Sequence, residues 1–389
     1  MPNKFTHIDC FSGVGGICTG LHAAGFNTLL AIEHIQSCVD TYRANHKNVK
    51  VIHNDITKVK AEDILSFINC EVDLVTSGMP CETFSTAGST SRSFYDDRQY
   101  LFKEGIRIAK IVNAKMILFE NVPAMTTKLV EKNGSRLIID ELFDELVKEG
   151  YKYYVTTILN SADFGVPQYR DRFFVLASRF DWNLTVPIAQ GDNHVTVGDA
   201  LFDIPNVQVN SKTENRKYLN RSNEYTALMK NDTFWKLGKT TKELTYHKAP
   251  NHREGTIERF TYIKQGEGLK NLFSKFSSSE IEELQKRKVL PRKWYIQRNR
   301  RLIENSPCPT VTSHCLDEFI HPIHDRALTV REVARLQSFP DSYDFAGGSY
   351  ICPHNAKEQD KYEQIGDSVP PLLSYAWGMV IKKILEENK

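Results

Sequence analysis

The chain has 389 residues, with 50 Lys or Arg against 48 Asp or Glu, so its net charge of +2 carries no general nucleic-acid-binding signature. No apolar stretch reaches the roughly 20 residues of a membrane span, and no signal-peptide core follows the N-terminus. The eight Cys lack paired spacing, which favours a reduced, cytoplasmic setting over a disulfide framework. The length predicts roughly two domains.

The N-terminal part alternates between short apolar runs and helix-length segments. This alternation predicts an α/β fold with a doubly wound, mostly parallel sheet, which binds ligands at the carboxyl ends of its strands. The predicted strands are 5–10, 28–32, 49–52, 72–75 and 116–119, and the predicted helices are 17–24, 37–44, 101–112 and, near the C-terminus, 328–337 and 372–385.

A glycine-containing loop, Gly13-Val14-Gly15-Gly16, follows the first predicted strand and opens a helix. Glycines there let a ligand approach the backbone, and the helix N-terminus offers free N–H groups. Glu33 ends the second predicted strand, where a carboxylate can accept hydrogen bonds from ribose hydroxyls. The pair indicates a nucleoside-containing cofactor. On these residues alone, the loop could also be a tight turn or part of a nicotinamide-binding domain. The absence of the G-x-G-x-x-G pattern argues against a dinucleotide.

Cys81 follows the fourth predicted strand on a turn that contains Gly78 and Pro80. A thiol at a strand end faces the ligand crevice, whereas structural Cys residues more often lie inside apolar runs. The context indicates a nucleophile, with a structural thiol as the alternative.

The composition changes after about residue 187, where polar, lysine-rich sequence replaces the alternation. Residues 211–253 hold ten basic and four acidic side chains, and residues 286–301 hold eight basic and none that is acidic. Basic groups around Trp294 and Tyr295 are typical of a phosphate-contacting surface, and a solvated face is the alternative.

Six segments occur in the order found in the C5-cytosine-specific DNA methyltransferases, and on them the chain closely resembles that family. They are 11–16 (FSGVGG), 80–81 (PC), 120–122 (ENV), 168–172 (QYRDR), 331–340 (REVARLQSFP) and 364–371 (QIGDSVPP). The resemblance implies a Rossmann-like S-adenosylmethionine-dependent methyltransferase fold. It implies a catalytic and cofactor-binding domain over 1–185, a smaller target-recognition domain over 186–310, and a return segment over 311–389 that completes the first domain.

The resemblance also implies the cofactor site, in which S-adenosyl-L-methionine is converted to S-adenosyl-L-homocysteine. Glu33 would hold the ribose, and Asp55 and Ile56 would flank the adenine. The other implied cofactor residues are Phe11, Ser12, Gly13, Gly15, Gly16, Pro80, Leu101, Asp367, Ser368 and Val369.

The implied catalytic residues are Cys81, Glu120, Arg170 and Arg172. Cys81 would add to carbon 6 of a flipped-out cytosine, and Glu120 would hold a proton at ring N3. Period-two spacing predicts that both arginines point the same way, with Arg172 favoured to orient Glu120. An ion pair with a neighbouring Asp is the alternative. The predicted DNA contacts are Ser85, Arg92, Lys293, Arg298, Arg300 and Arg301.

Two residues depart from the family pattern: Glu82 stands where Gln is usual, and Asp367 where Asn is usual. Neither replaces a catalytic group. No metal is predicted, because the Cys and His residues between 308 and 354 match no standard zinc spacing.

The sequence thus predicts a restriction-modification-type enzyme of the bacterial cytosol or nucleoid. It would act as a monomer on double-stranded DNA, with a restriction endonuclease for the same site as a further partner. A tRNA cytosine methyltransferase of the same fold, an inactive DNA-binding relative and a nicotinamide-dependent oxidoreductase are the competing interpretations.

Overall fold

The computed structural model describes residues 5–80, 97–131, 134–189, 191, 193–211, 213–214, 216–293, 296–351 and 357–389. Cys81, Ser85 and Arg92, three of the predicted site residues, lie outside this part of the chain. No helix among the described residues is long and apolar enough to cross a membrane.

A seven-stranded sheet forms the centre of the N-terminal half. Its order is β3-β2-β1-β4-β5-β7-β6; the first five strands in this order run parallel, and β7 is antiparallel to both of its neighbours. The strands are β1 (Phe5–Cys10), β2 (Phe26–Glu33), β3 (Lys50–His53), β4 (Leu74–Ser77), β5 (Met116–Asn121), β6 (Tyr153–Asn160) and β7 (Asp171–Ser178). Helices cover both faces of the sheet, so the predicted doubly wound α/β fold is confirmed.

Five helices belong to the first half: α1 (Gly16–Ala24), α2 (Gln36–Asn45), α3 (Ala61–Leu65), α4 (Phe102–Ile111) and α5 (Ile138–Lys148). Strands β4 and β5 are buried along their whole length, as expected for parallel strands covered on both faces. The later elements are α6 (Val197–Leu201), α7 (Glu224–Met229), α8 (Asp232–Trp235), α9 (Glu254–Thr261), α10 (Leu269–Lys275), α11 (Ser278–Lys286), β8 (Arg300–Arg301), α12 (Cys315–Glu318), β9 (Phe319–Ile320), α13 (Val330–Leu336), α14 (Lys361–Gly366) and α15 (Pro371–Glu387).

The C-terminal helix α15 packs closely on α1, and small residues make this approach feasible. A Cβ atom on Gly20 would lie 2.2 Å from the Pro371 carbonyl oxygen, and one on Gly378 would lie 2.6 Å from Ala24 Cβ. Helix α15 is thereby held beside the helix that follows the glycine loop.

The helices between β7 and the return segment contribute to two apolar clusters. Residues of α6, α7 and α8 share one cluster with α13 and α14 of the return segment, whereas α9, α10 and α11 form a smaller cluster of their own with Ile320. The predicted domain boundaries at 186 and 310 stay predictions.

Helix α13 joins these parts through fully buried charged groups. Arg335 donates to both carboxylate oxygens of Asp341 and to Asp203 Oδ1, which follows α6. Arg326 donates to both oxygens of Glu332 at 2.7 Å. A buried guanidinium needs such matched acceptors, so the segment braces the structure.

Candidate active site

Four of the predicted site features among the described residues lie at one edge of the sheet. The glycine loop follows β1, Glu33 ends β2, Gly78 follows β4, and Glu120 lies near the end of β5. Because these four strands are parallel, their carboxyl ends meet at the same edge.

Three residues between β1 and α1 have left-handed backbone conformations. Their φ angles are 55° at Phe11, 51° at Gly13 and 91° at Gly15. Such a conformation is strained for a bulky residue, and strain of this kind is concentrated at functional sites. A Cβ on Gly13 would meet nothing within 4 Å, and the buried Ser12 hydroxyl has no hydrogen-bond partner within the described ranges. Open space and an unpaired polar atom fit a ligand bound over this loop.

Glu33 anchors the glycine loop to the second strand. Its Oε2 accepts from the Gly13 N–H at 2.8 Å, and its Oε1 accepts from the N–H groups of His34 and Ile35 at 2.8 Å. Burial alone would raise the pKa of Glu33, but hydrogen bonds from His34, Ile35 and Gly13 lower it below its ordinary value. An ionised carboxylate can accept about four hydrogen bonds, so the held side chain suits ribose hydroxyls.

The return segment closes the glycine loop from the other side. A Cβ on Gly16 would lie only 2.2 Å from the Val369 carbonyl oxygen. Ser368 is buried, and its hydroxyl donates to Gln364 O at 2.7 Å. Asp367 is exposed and accepts from Gln359 Nε2 at 2.7 Å.

The remaining predicted cofactor residues lie around the same edge. Asp55 follows β3, where its carboxylate accepts from the Thr57 N–H at 3.0 Å, and Ile56 is buried behind it. Pro80 and Leu101 are half-buried, Leu101 directly before α4.

Glu120 and Arg172 form an ion pair, with Arg172 Nε 2.8 Å from Glu120 Oε1 and both side chains nearly buried. The antiparallel pairing of β5 with β7 brings the start of β7 beside the end of β5. A Cβ on Gly78 would lie 3.8 Å from Glu120 Oε2 and 3.5 Å from Ile17 Cδ1. Gly78 therefore separates the acid from the helix of the glycine loop.

Arg170 has a different environment from Arg172. Its guanidinium donates to the carbonyl oxygens of Val311, Gly366 and Ser368 at 2.6, 2.9 and 3.2 Å. Tyr169 and Asp171 are exposed whereas Arg170 and Arg172 are buried, so the alternation points both arginines inward, although they bind different partners. Arg170 holds the return segment in place.

Asn121 was not among the predicted site residues, although it follows Glu120 directly. Its amide Nδ2 donates to Met79 O at 3.4 Å, and its Oδ1 accepts from the Val122 N–H at 2.8 Å. Asn121 thus ties the end of β5 to the turn that leads toward residue 81. The Glu120-Asn121 pair directly after a predicted strand is the sequence feature that could have indicated a site role for Asn121.

The predicted DNA-contacting side chains differ in exposure. Lys293 and Arg298 are exposed, and Arg300 is half-buried with its guanidinium 5.7 Å from the centre of the Phe319 ring. Arg301 is buried and donates to the carbonyls of Phe260, Ile263, His321 and His324 and to Asp325. These bonds occupy its guanidinium, so the predicted phosphate contact of Arg301 is wrong.

A family model described as C-5 cytosine-specific DNA methylase matches residues 5–383. The chain is 34% identical over 383 residues to the type II methyltransferase M1.HphI of Haemophilus parahaemolyticus, covering 98% of this chain and 87% of the relative. It is 32% identical over 376 residues to the type II methyltransferase M.DdeI of Desulfomicrobium norvegicum, covering 95% and 86%.

Solved structures share the fold. A candidate DNA modification methyltransferase encoded within an Escherichia coli prophage superposes with a TM-score of 0.74 at 24% identity, covering 98% of this chain and 100% of that chain. The Dnmt2 methyltransferase of S. pombe superposes with a TM-score of 0.54 at 18% identity, covering 99% and 100%.

Proposed function

Because the chain belongs to the C-5 cytosine-specific DNA methylases, we propose that it methylates carbon 5 of cytosine within a specific duplex DNA sequence. The observation that carries this proposal is the Glu120–Arg172 pair, which lies against Gly78 at the strand edge that also holds the glycine loop. An acid, an orienting cation and a ligand loop at one edge are what this chemistry requires.

The residues at this edge suit S-adenosylmethionine, which supplies an electrophilic methyl group on a sulfonium when bound. Glu33 would accept from the ribose hydroxyls, and Asp55 and Ile56 would flank the adenine. The loop around Gly13 would leave room for the ligand, with Phe11, Pro80, Leu101 and the 367–369 stretch completing the site.

The proposed chemistry begins with the Cys81 thiolate. It adds to carbon 6 of the cytosine, which makes carbon 5 nucleophilic, while Glu120 holds a proton at ring N3. Arg172 orients the Glu120 carboxyl group through their ion pair. After carbon 5 has taken up the methyl group, a base removes its proton and the bond between Cys81 and carbon 6 breaks.

The target base must leave the helical stack to reach this edge. We assign phosphate contacts to Lys293, Arg298 and Arg300, and minor-groove or phosphate contacts to Ser85 and Arg92. Both relatives named above are type II methyltransferases, the class found in restriction-modification systems. A cytoplasmic role in protecting host DNA from a cognate endonuclease is therefore part of the proposal.

Bisulfite sequencing of DNA from a host that expresses the gene tests this function and reveals the target sequence. Transfer of labelled methyl groups to duplex DNA and to tRNA, measured side by side, distinguishes the two substrates. Cys81→Ala should abolish transfer and trapping on 5-fluorocytosine duplexes, whereas Cys70→Ala, at an exposed thiol away from the site, should not. Absence of 5-methylcytosine above background, or transfer to tRNA alone, would refute the proposal.

A further inference from the structure

Three potential metal ligands meet beneath the glycine loop. Cys18 and His22 lie one turn apart on α1, and His46 lies at the end of α2. One ligand atom from each residue lies within 4.8 Å of the other two, and Cys18 Sγ is 3.6 Å from His46 Nδ1. Spacing of four residues places Cys18 and His22 on one face of the helix.

This spacing matches what a tetrahedral ion needs. Zinc bonds of about 2.3 Å to sulfur and about 2.1 Å to nitrogen place the two ligand atoms roughly 3.6 Å apart. The Cys18–His46 distance already has this value, and the His22 imidazole must approach by only about 1 Å. A helix side chain can make that adjustment by rotation.

The surroundings of the cluster resemble those of a metal centre. The Nδ1 atom of His22 is buried and has no hydrogen-bond partner in the part of the chain that the structure describes. The other ring nitrogen of His46, Nε2, lies 3.4 Å from Thr19 Oγ1 and 3.5 Å from the Tyr343 hydroxyl. Metal-bound histidines generally use their second nitrogen for such an outer contact, which fixes the ring.

The electrostatics are also compatible with a cation. Burial and the nearby Asp9 raise the pKa of the Cys18 thiol to about 12, so a divalent ion would displace its proton on binding. The resulting thiolate and the buried carboxylate of Asp9, on β1, would together balance the ion. One carboxylate oxygen of Asp9 accepts from Thr76 Oγ1 at 2.7 Å, and the other has no partner within the described ranges. Lys236, whose charge acts on His22, donates to Ala23 O at 2.9 Å.

We propose that Cys18, His22 and His46 bind one zinc-class divalent ion, with the fourth coordination position left to a small ligand. This inference goes beyond methyl transfer and replaces the sequence-based expectation of no metal. Soft thiolate with two imidazoles is a donor set that zinc favours over magnesium or calcium.

The ion would stiffen the cofactor loop. A Cβ on Gly15 would lie 2.8 Å from His46 Nε2, so the imidazole packs directly under the loop. Thr19, which faces the same ring, donates from its hydroxyl to Gly15 O at 2.7 Å. Fixing His46 therefore fixes the backbone over which the cofactor would bind.

The test uses the full chain, stripped with a chelator and titrated with zinc or cobalt(II). We expect one equivalent to bind and cobalt to give a thiolate-to-metal charge-transfer band. Cys18→Ser should remove that band and weaken zinc binding by at least about tenfold. Cys308→Ser changes a buried thiol outside the cluster and should leave the charge-transfer band and the zinc affinity unchanged.

His22→Gln provides a second variant, in case Cys18→Ser does not fold. It should weaken zinc binding while the circular dichroism spectrum of the metal-free protein is unchanged. Zinc should raise the melting temperature of the unmodified protein and not that of either folded variant. Failure to bind a stoichiometric ion, or binding that both variants retain, would overturn the proposal. Neither result bears on methyl transfer, which is assayed separately.

Discussion

Arg172 Nε lies 2.8 Å from Glu120 Oε1, and the two side chains are only 11% and 10% exposed. Arg172 Nη1 also donates to Asp171 O at 2.8 Å, which fixes the guanidinium plane. The other carboxylate oxygen of Glu120 faces the Gly78 backbone. One oxygen is thus held by the arginine while the second faces the turn that leads to residue 81, as the proposed proton transfer to a bound base would require.

The first prediction separates the two arginines. Arg172→Gln removes the cation that orients Glu120, so the single-turnover rate of methyl transfer should fall by about 10²-fold or more. Cofactor affinity should change little, because Arg172 contacts β5 and not the return segment, and the melting temperature should fall less than it does in Arg170→Gln.

Arg170→Gln is the matched control. It leaves three buried carbonyls of the return segment without their donor, so we expect a lower melting temperature and weaker cofactor binding. Equal effects of the two substitutions on rate and stability would contradict these roles.

The second prediction concerns two glycines of the cofactor loop. Gly16→Ala forces a Cβ to within 2.2 Å of Val369 O, so α1 and the return segment must separate and the melting temperature should fall. Gly13→Ala meets no atom within 4 Å and costs only about 1–2 kcal/mol for its positive φ, yet its methyl group enters the proposed ligand space.

Calorimetry with S-adenosylmethionine and thermal melts distinguish the two glycine variants. Gly13→Ala should bind the cofactor more weakly even where the protein is fully folded, so its loss of affinity should exceed what partial unfolding explains. If it bound S-adenosylmethionine as well as the unmodified protein does, the ligand would not lie over Gly13.

The third prediction separates a DNA contact from a structural cation. Lys293→Ala should weaken DNA binding similarly on all sequences and reduce the slope of log affinity against log salt by about 1. Arg301→Ala should instead lower the melting temperature, because it removes a donor from the carbonyls of Phe260 and Ile263. Fluorescence anisotropy over a salt series checks both. An unchanged salt slope for Lys293→Ala would exclude a phosphate contact.

Much of the N-terminal half could be predicted from sequence, because parallel strands are continuous apolar runs and their ends carry the site. The predicted helix at 101–112 is α4 (Phe102–Ile111), and that at 372–385 lies within α15 (Pro371–Glu387). Strands β6 and β7 were not predicted. β6 is an edge strand without a buried residue, in which exposed and half-buried side chains alternate, so it has no continuous apolar run. The position of β7 between β5 and β6 depends on strand pairing, which local sequence does not encode.

Side-chain partners were harder to predict than strands. The environments of Arg170 and Arg301 depend on carbonyls up to about 200 positions away in sequence, which spacing cannot reveal. A run of basic residues has the same sequence pattern whether its side chains are exposed or buried. The sequence therefore predicts a DNA contact for Arg301 as well as for Lys293. The Cys18–His22–His46 cluster was not predicted, because His46 lies at the end of another helix, 24 positions after His22.

The fourth prediction is a pH-dependent loss of stability at the buried Glu332–Arg326 pair. Burial alone would raise the pKa of Glu332, but the charge and hydrogen bonds of Arg326 lower it well below its ordinary value. A depressed folded-state pKa contributes stability that is present above the unfolded pKa of about 4.3 and is lost as pH falls toward the folded value. Glu332→Gln leaves Arg326 with an uncompensated buried charge and should cost about 3–5 kcal/mol at neutral pH.

Urea unfolding of the Glu332→Gln protein at several pH values measures this effect. Its deficit relative to the unmodified protein should shrink below about pH 4, because the unfolded unmodified chain then binds a proton at Glu332, a term that Glu332→Gln lacks. Glu243→Gln breaks the exposed pair with Arg216 and should have little effect at any pH, because solvent screens such a pair. If Glu332→Gln lowered the free energy of unfolding by the same amount from neutral pH to pH 3, the contribution of Glu332 to stability would come from packing and not from its charge.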